Sequence, residues 1–195
     1  MKSLLNNITD IIVGYQPKTR IQEKPDGMFY LIQGKNFDEC RNFEKDTLVA
    51  INSERDPEPY LVHKGDILFQ ARGFKHFAYY FKEGLPSAIV SASFYIVRVK
   101  TNVVIPEYLA WWLNQKPAQN YFSAHASNTA ISFISKKTLS KLEIKLPSIN
   151  TQNKICRIAK LQEQESKLKY ELTEKRSQLI NQLCLNAIQQ KENLR

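Results

Sequence analysis

After Pro147 the chain contains no further glycine or proline through to Arg195. A run of that length without a helix breaker predicts one long helix, and about 40 helical residues span roughly 60 Å. A globular domain built from the rest of the chain is only about 30 Å across, so part of the helix is expected to reach beyond it. Apolar residues recur at Ile158, Leu161, Leu168, Leu172 and Leu179, a heptad spacing, then slide by one to Leu183 as in a stutter. Two core positions carry opposite charges instead, Glu165 and Lys175. In a parallel pair each of these faces its own copy. In an antiparallel pair centred near Tyr170, Leu168 meets Leu172, Leu161 meets Leu179, and Glu165 meets Lys175. Only the antiparallel arrangement is self-complementary, because like charges at close range repel. The expected dimer seam is therefore Ile158, Leu161, Glu165, Leu168, Leu172, Lys175, Leu179 and Leu183. Two readings stay open beside it: the stripe packs on the chain's own domain, or it pairs with a similar helix of a different chain.

The remaining length supports one globular domain with a core, since 43% of the 195 residues are hydrophobic. The expected division is residues 1–149 for the domain and 150–195 for the helix, with Asn150 as its cap. The formal net charge is +9. There are 19 basic and 14 acidic residues before Asn150, and 9 and 5 from it onward, so both parts share the excess. Such a balance favours a polyanionic partner, most often nucleic acid. Cys40, Cys156 and Cys184 are scattered, with no C-x-x-C pair, which argues for a reducing compartment rather than a disulfide framework. His63, His76 and His125 lack metal-ligand spacing, so no metal or other cofactor is expected. Polar Asn6, Asn7 and Asp10 interrupt the first residues, which excludes a signal peptide, and no apolar run spans a bilayer. A cytoplasmic protein without a membrane partner is expected.

Strand patterns occur at Met28–Ile32, Ile67–Phe69, His76–Phe81 and, most strongly, Ala88–Val99. Asn52–Pro59 reads as a surface loop. Pro106 suits the first turn of a helix through Tyr108, Trp112 and Leu113, three residues expected in the core, and Pro117 opens a further helix. Ser135 caps a short helix, and Leu142, Ile144 and Leu146 alternate with polar residues as in a half-exposed strand. Strands and helices mix without βαβ regularity, which indicates the α+β class with a mixed sheet.

Several blocks in one order resemble the specificity subunit of Type I restriction-modification systems. The first is Tyr60-Leu-Val-His-Lys-Gly-Asp-Ile-Leu-Phe-Gln-Ala-Arg-Gly73, after Gly14 near the start. The second runs from Ser91 through Phe94 to Arg98, then Pro106-Glu-Tyr-Leu-Ala-Trp-Trp-Leu-Asn114. The third holds Ile134-Ser135, Leu139, Leu142 and Ile144-Lys-Leu-Pro147, followed by Gln152 and Ile155. In that family the subunit has two target-recognition domains, each followed by a long helix, and the helices lie antiparallel. This chain holds one domain and one helix and so resembles half of that subunit. The resemblance implies double-stranded DNA as ligand, and methyltransferase (M) and restriction (R) subunits as partners. The charge pattern of the helix adds a second copy of the chain. A half that pairs with a different half, or a truncated remnant, would look the same in sequence.

Four stretches are candidate DNA contacts. Gln70–His76 offers Arg72, Lys75 and His76 between apolar segments; Arg can bridge guanine O6 and N7, and Lys can neutralise phosphate. Gln16, Lys18 and Arg20 follow Gly14 in a polar stretch. Asn128 and Thr129 lie in a polar loop, and Lys136 and Lys137 in the first turn of a short helix, where their charge opposes the helix dipole. For each, a solvated loop explains the composition as well. Gly65-Asp66 reads as a structural turn. Pro25-Asp26 with Glu143-Ile144-Lys145 superficially fits a PD…ExK nuclease, but at much greater separation than that motif shows. A methyltransferase cofactor loop and a nucleophile triad are lacking. The sequence therefore indicates a non-catalytic DNA-recognition subunit directing an enzyme complex to a bipartite site; the rival readings are a coiled-coil protein adaptor and, more remotely, that nuclease.

Overall fold

The computed structural model of the chain describes residues 1–19, 21–127 and 131–192. These fall into two compact units, Met1–Asn153 and Lys154–Arg195. The first is α+β, with three sheets. β1 (Lys2–Leu4) pairs antiparallel with β9 (Glu143–Lys145). β2 (Thr9–Val13), β8 (Phe94–Val99), β5 (Ile67–Gln70) and β6 (Ala78–Tyr80) form a four-stranded antiparallel sheet in that order. β4 (Val49–Ile51), β3 (Phe29–Ile32) and β7 (Ala88–Val90) form a mixed sheet, in which β3 and β7 run parallel.

The two-residue period of a strand explains the layering. Ile32 on β3, Ala88 and Val90 on β7, Leu68 on β5, and Phe94 and Ile96 on β8 share one core with Phe37, Phe77 and Phe81. Their neighbours Leu31 and Ile89 turn to the other face and pack with Tyr15 and Ile51. The mixed sheet is thus covered on both sides. Phe69, next to Leu68, turns away from the first core and meets Phe122 at 4.9 Å between ring centres. Phe122 belongs to α3 (Lys116–His125), which follows α2 (Pro106–Leu113). Asn114, at the end of α2, completes the edge of β6. Its amide donates to Ala78 O at 2.7 Å and accepts from Ala78 N at 3.0 Å, replacing a neighbouring strand.

Three expectations need correction. Ala88–Val99 is two strands, because Ser91–Ser93 turns the chain from one sheet into the other, with Phe94 N–H donating to Ser91 O at 2.9 Å. Neither glycine nor proline marks that turn. Trp112 is only half-buried, at the margin of a helix face centred on the fully buried Leu109 and Leu113. The long helix, α5, runs Ile149–Glu192, and its cap is Ser148 rather than Asn150. Ser148 Oγ accepts from Thr151 N–H at 3.3 Å, the N-cap to N3 contact. The first residues, for which the sequence pattern predicts no element, carry β1, α1 (Leu5–Ile8) and β2, with Leu5 and Ile8 buried.

Candidate nucleic-acid interface

The Gln70–His76 segment leaves β5 and returns as β6. Arg72 and Lys75 are exposed, as is Phe74 between them. Arg72 bridges Phe133 in antiparallel fashion, its guanidinium 5.3 Å from the Phe133 ring centre. That pairing draws residues 131–137 alongside the loop. Ile134 N–H donates to Ala71 O at 2.8 Å, and α4 (Lys136–Ser140) follows at once. Ser135 caps α4 by accepting from Thr138 N–H at 3.0 Å, and Lys136 and Lys137 are exposed on its first turn. Arg72, Lys75, Lys136 and Lys137 therefore border one strip.

His76 behaves differently from its neighbours. It is buried, and both ring nitrogens are engaged: Nδ1 donates to Gln70 O at 3.1 Å, and Nε2 accepts from Ser132 Oγ at 2.8 Å. The carbonyl can only accept, which fixes the neutral tautomer. Burial pushes its pKa below the ordinary 6.5, against the Gln70 carbonyl, which raises it. His76 ties the loop to Ser132. Beside it lies an open cavity of about 360 Å³ bordered by Arg41, Phe74, Lys75, Ser123 and Ser132. Beneath the strip, burial raises the pKa of Tyr95, whose hydroxyl donates to Ile134 O at 3.1 Å.

Gln16 and Lys18 are exposed on a separate stretch. Glu54 fastens it, accepting from Lys18 N–H at 2.9 Å and from the Thr19 hydroxyl. These two bonds, the Thr19 hydroxyl first, hold the Glu54 carboxyl below its usual range. The Ser91–Ser93 turn links the two stretches. Tyr15 bridges Ser91 on one side, while Ser93 O accepts from Ala71 and Arg72 N–H on the other. Arg20, Asn128 and Thr129 lie outside the described residues. Asp66 is structural: it is buried and accepts from His63 N–H at 2.8 Å, closing a turn in which Gly65 has φ 98°. Glu143 of the nuclease-like pair meets Lys2 at 2.5 Å across β1 and β9, and Lys145 is exposed beyond it.

In the second unit, the seam residues Ile158, Leu161, Leu168, Leu172, Leu179 and Leu183 are 57 to 69% exposed. Glu165 pairs with Lys169 at 2.6 Å, one helical turn on. Ile180, Leu185 and Ile188 are exposed off the seam. Among the described residues, no helix is long and apolar enough to cross a membrane.

The sequence family described as the Type I restriction modification DNA specificity domain matches residues 3–182. The chain belongs to that family. Solved specificity-family structures have the same fold. The S subunit of a Type I restriction-modification system from M. genitalium is 15% identical, with a TM-score of 0.58 over 83% of this chain and 38% of its own. The HsdS subunit from Thermoanaerobacter tengcongensis is 19% identical, with a TM-score of 0.58 over 87% and 39%. A chain from a study of complex assembly and conformational transition of the type I R-M system is 18% identical, with a TM-score of 0.59 over 92% and 42%. This specificity-domain chain thus spans about two fifths of each of those chains. No curated protein sequence matches it.

Proposed function

We propose that residues 1–149 form a target-recognition domain that reads one half of a bipartite DNA site, without catalysis of its own. The long helix α5 serves as the spacer and dimer helix. The observation that carries the reading is the strip of Arg72, Lys75, Lys136 and Lys137, exposed together on a domain of the DNA specificity family. Gln16 and Lys18, exposed on a separate stretch that the Ser91–Ser93 turn links to the loop, offer a second set of contacts. Paired antiparallel through α5, two copies restore the domain count of a full-length subunit, and the exposed apolar seam supports that pairing. The assembly holds methyltransferase (M) subunits and serves restriction (R) subunits where these are present, in the cytoplasm.

Two identical domains entering the helix pair from opposite ends call for an inverted-repeat target, its half-sites on the order of 34 Å apart, one DNA turn. The test is selection of duplexes from a random pool by the full chain with its M subunits. An inverted repeat with a spacer is expected, bound with a steep salt dependence from counterion release. A single undivided half-site would overturn the dimer geometry, and salt-insensitive binding would overturn the phosphate contacts. No shift of any duplex at low salt would leave a protein adaptor as the reading.

A further inference from the structure

Phe74 is 91% exposed at the tip of the loop between β5 and β6, flanked by Arg72 and Lys75. Large apolar side chains often stand in water on loosely held loops, but this loop is fastened on both sides. Ala71 and Arg72 N–H donate to Ser93 O at 2.9 and 3.0 Å, and Gly73 N–H donates to Ser132 O at 3.0 Å. Gln70 N–H donates to Phe77 O at 2.8 Å, and buried His76 joins Gln70 to Ser132 from within. Gly73 has φ 151°, a backbone conformation that side-chain-bearing residues rarely adopt, and a Cβ there would lie 2.4 Å from Gln70 Nε2. A position open only to glycine and a buried histidine thus fix the loop that holds one phenyl ring out in solvent.

We propose that Phe74 is a wedge that inserts against the base pairs of duplex DNA while Arg72 and Lys75 engage the flanking phosphates or base edges. The inference rests on the DNA-recognition reading above. A ring between two cations fits a ligand whose outer layer is anionic and whose interior is a flat apolar stack. Duplex DNA has both layers, and aromatic or aliphatic wedges unstack base steps in this way. A rigid tip suits the role, because the ring then need not be ordered on binding.

The experiment uses the full chain and the duplex it selects from a random pool, compared with Phe74→Ala and Phe74→Trp. Exposure of the ring means that neither change disturbs the core. Phe74→Ala is expected to bind about a hundredfold more weakly, in keeping with the loss of one base–aromatic stack in each of the two half-sites. Its salt dependence should match that of the unaltered protein, because no charge is removed. Phe74→Trp should retain affinity. With 2-aminopurine placed at successive positions of the duplex, one step in each half-site should brighten on binding of the unaltered and Trp proteins, but not with Phe74→Ala. Equal affinity of Phe74→Ala, or no step that brightens, would overturn the wedge while leaving DNA recognition standing. Loss of M-subunit binding by Phe74→Ala, with duplex affinity intact, would also overturn it and assign the ring to a protein contact. Failure of the unaltered chain to select any duplex would overturn both readings.

Discussion

Arg98 holds Asp66 in a two-pronged grip, with Nε to Oδ1 at 2.8 Å and a terminal nitrogen to Oδ2 at 2.7 Å. The pair joins β8 to the turn before β5, and Arg98 also donates to Leu61 O at 3.3 Å. The carboxylate is 3% exposed and the arginine 38%. Removing one partner of a fully buried pair costs about 3–5 kcal/mol; the half-open arginine brings this to roughly 2–3 kcal/mol. Asp66→Ala should therefore lower the melting temperature by about 4–12 °C in a domain of this size. Calorimetry decides the matter, and an unchanged melting curve would mean that the pair is idle.

Gln152 is buried and makes three bonds. Its Oε1 accepts from Ile105 N–H at 2.9 Å, and its Nε2 donates to Val103 O at 2.9 Å and Pro147 O at 3.0 Å. Gln152→Ala leaves three backbone groups to be resatisfied and should cost about 2–4 kcal/mol. Gln152→Glu keeps the shape but sets a carboxylate oxygen against two carbonyls, so it should be at least as harmful. Urea midpoints of the two variants are the measurement; a benign Glu variant would contradict the donor assignment.

Gly14 lies where the chain leaves β2 and crosses the Ser91–Ser93 turn. An added Cβ would fall 2.2 Å from Ser91 O and 2.6 Å from Val90 O, both backbone atoms. Gly14→Ala should destabilise by about 1–3 kcal/mol through overpacking. Because the displaced turn also holds Arg72, the same variant should bind DNA less well under conditions where it remains folded.

His76 predicts a pH effect. Its folded pKa is depressed, so the unfolded chain takes up the proton first. The residue's contribution to stability is full above its ordinary pKa of 6.5 and is lost as pH falls from there toward the folded pKa. Denaturation at about pH 7.5 and about pH 5.5 should show this loss, and His76→Gln should abolish that part of it. Identical pH slopes for the two proteins would place the effect on other groups.

Glu165 and Lys175 test the helix pairing. A symmetric antiparallel dimer makes the contact twice, each worth at most about 1 kcal/mol at an exposed seam, so Lys175→Glu should weaken dimerisation about tenfold. Combining it with Glu165→Lys should restore it. Sedimentation equilibrium provides the readout. A parallel pair would replace Lys against Lys by Glu against Glu and leave the affinity unchanged.

The long helix was legible because the absence of glycine and proline is a signal spread over many residues. Its first residue was not, because Ser148 and Asn150 are both good caps and only geometry chooses between them. The turn at Ser91–Ser93 was hidden inside an apolar run, since its sharp change of sheet is imposed by tertiary pairing with β3 rather than by local sequence. In the candidate interface, composition singled out Arg72 and Lys75 and grouped His76 with them. It could not tell which loop residues turn inward. The aromatic at position 74, between two basic residues, was available as a signal and went unread, because phenylalanine is ordinarily counted toward the core.

The strand order carries a consequence for biogenesis. Among the described residues, β1 pairs with β9, β2 with β8, and β3 with β7 and β4. Almost every sheet thus waits for chain made much later, and distant pairings of this kind are slow to close. On the ribosome, β2 must wait for Phe94–Val99 and β1 for Glu143–Lys145, whereas β3 can meet β4 early. A nascent chain halted before that point would expose unpaired strand edges, making it a substrate for chaperones.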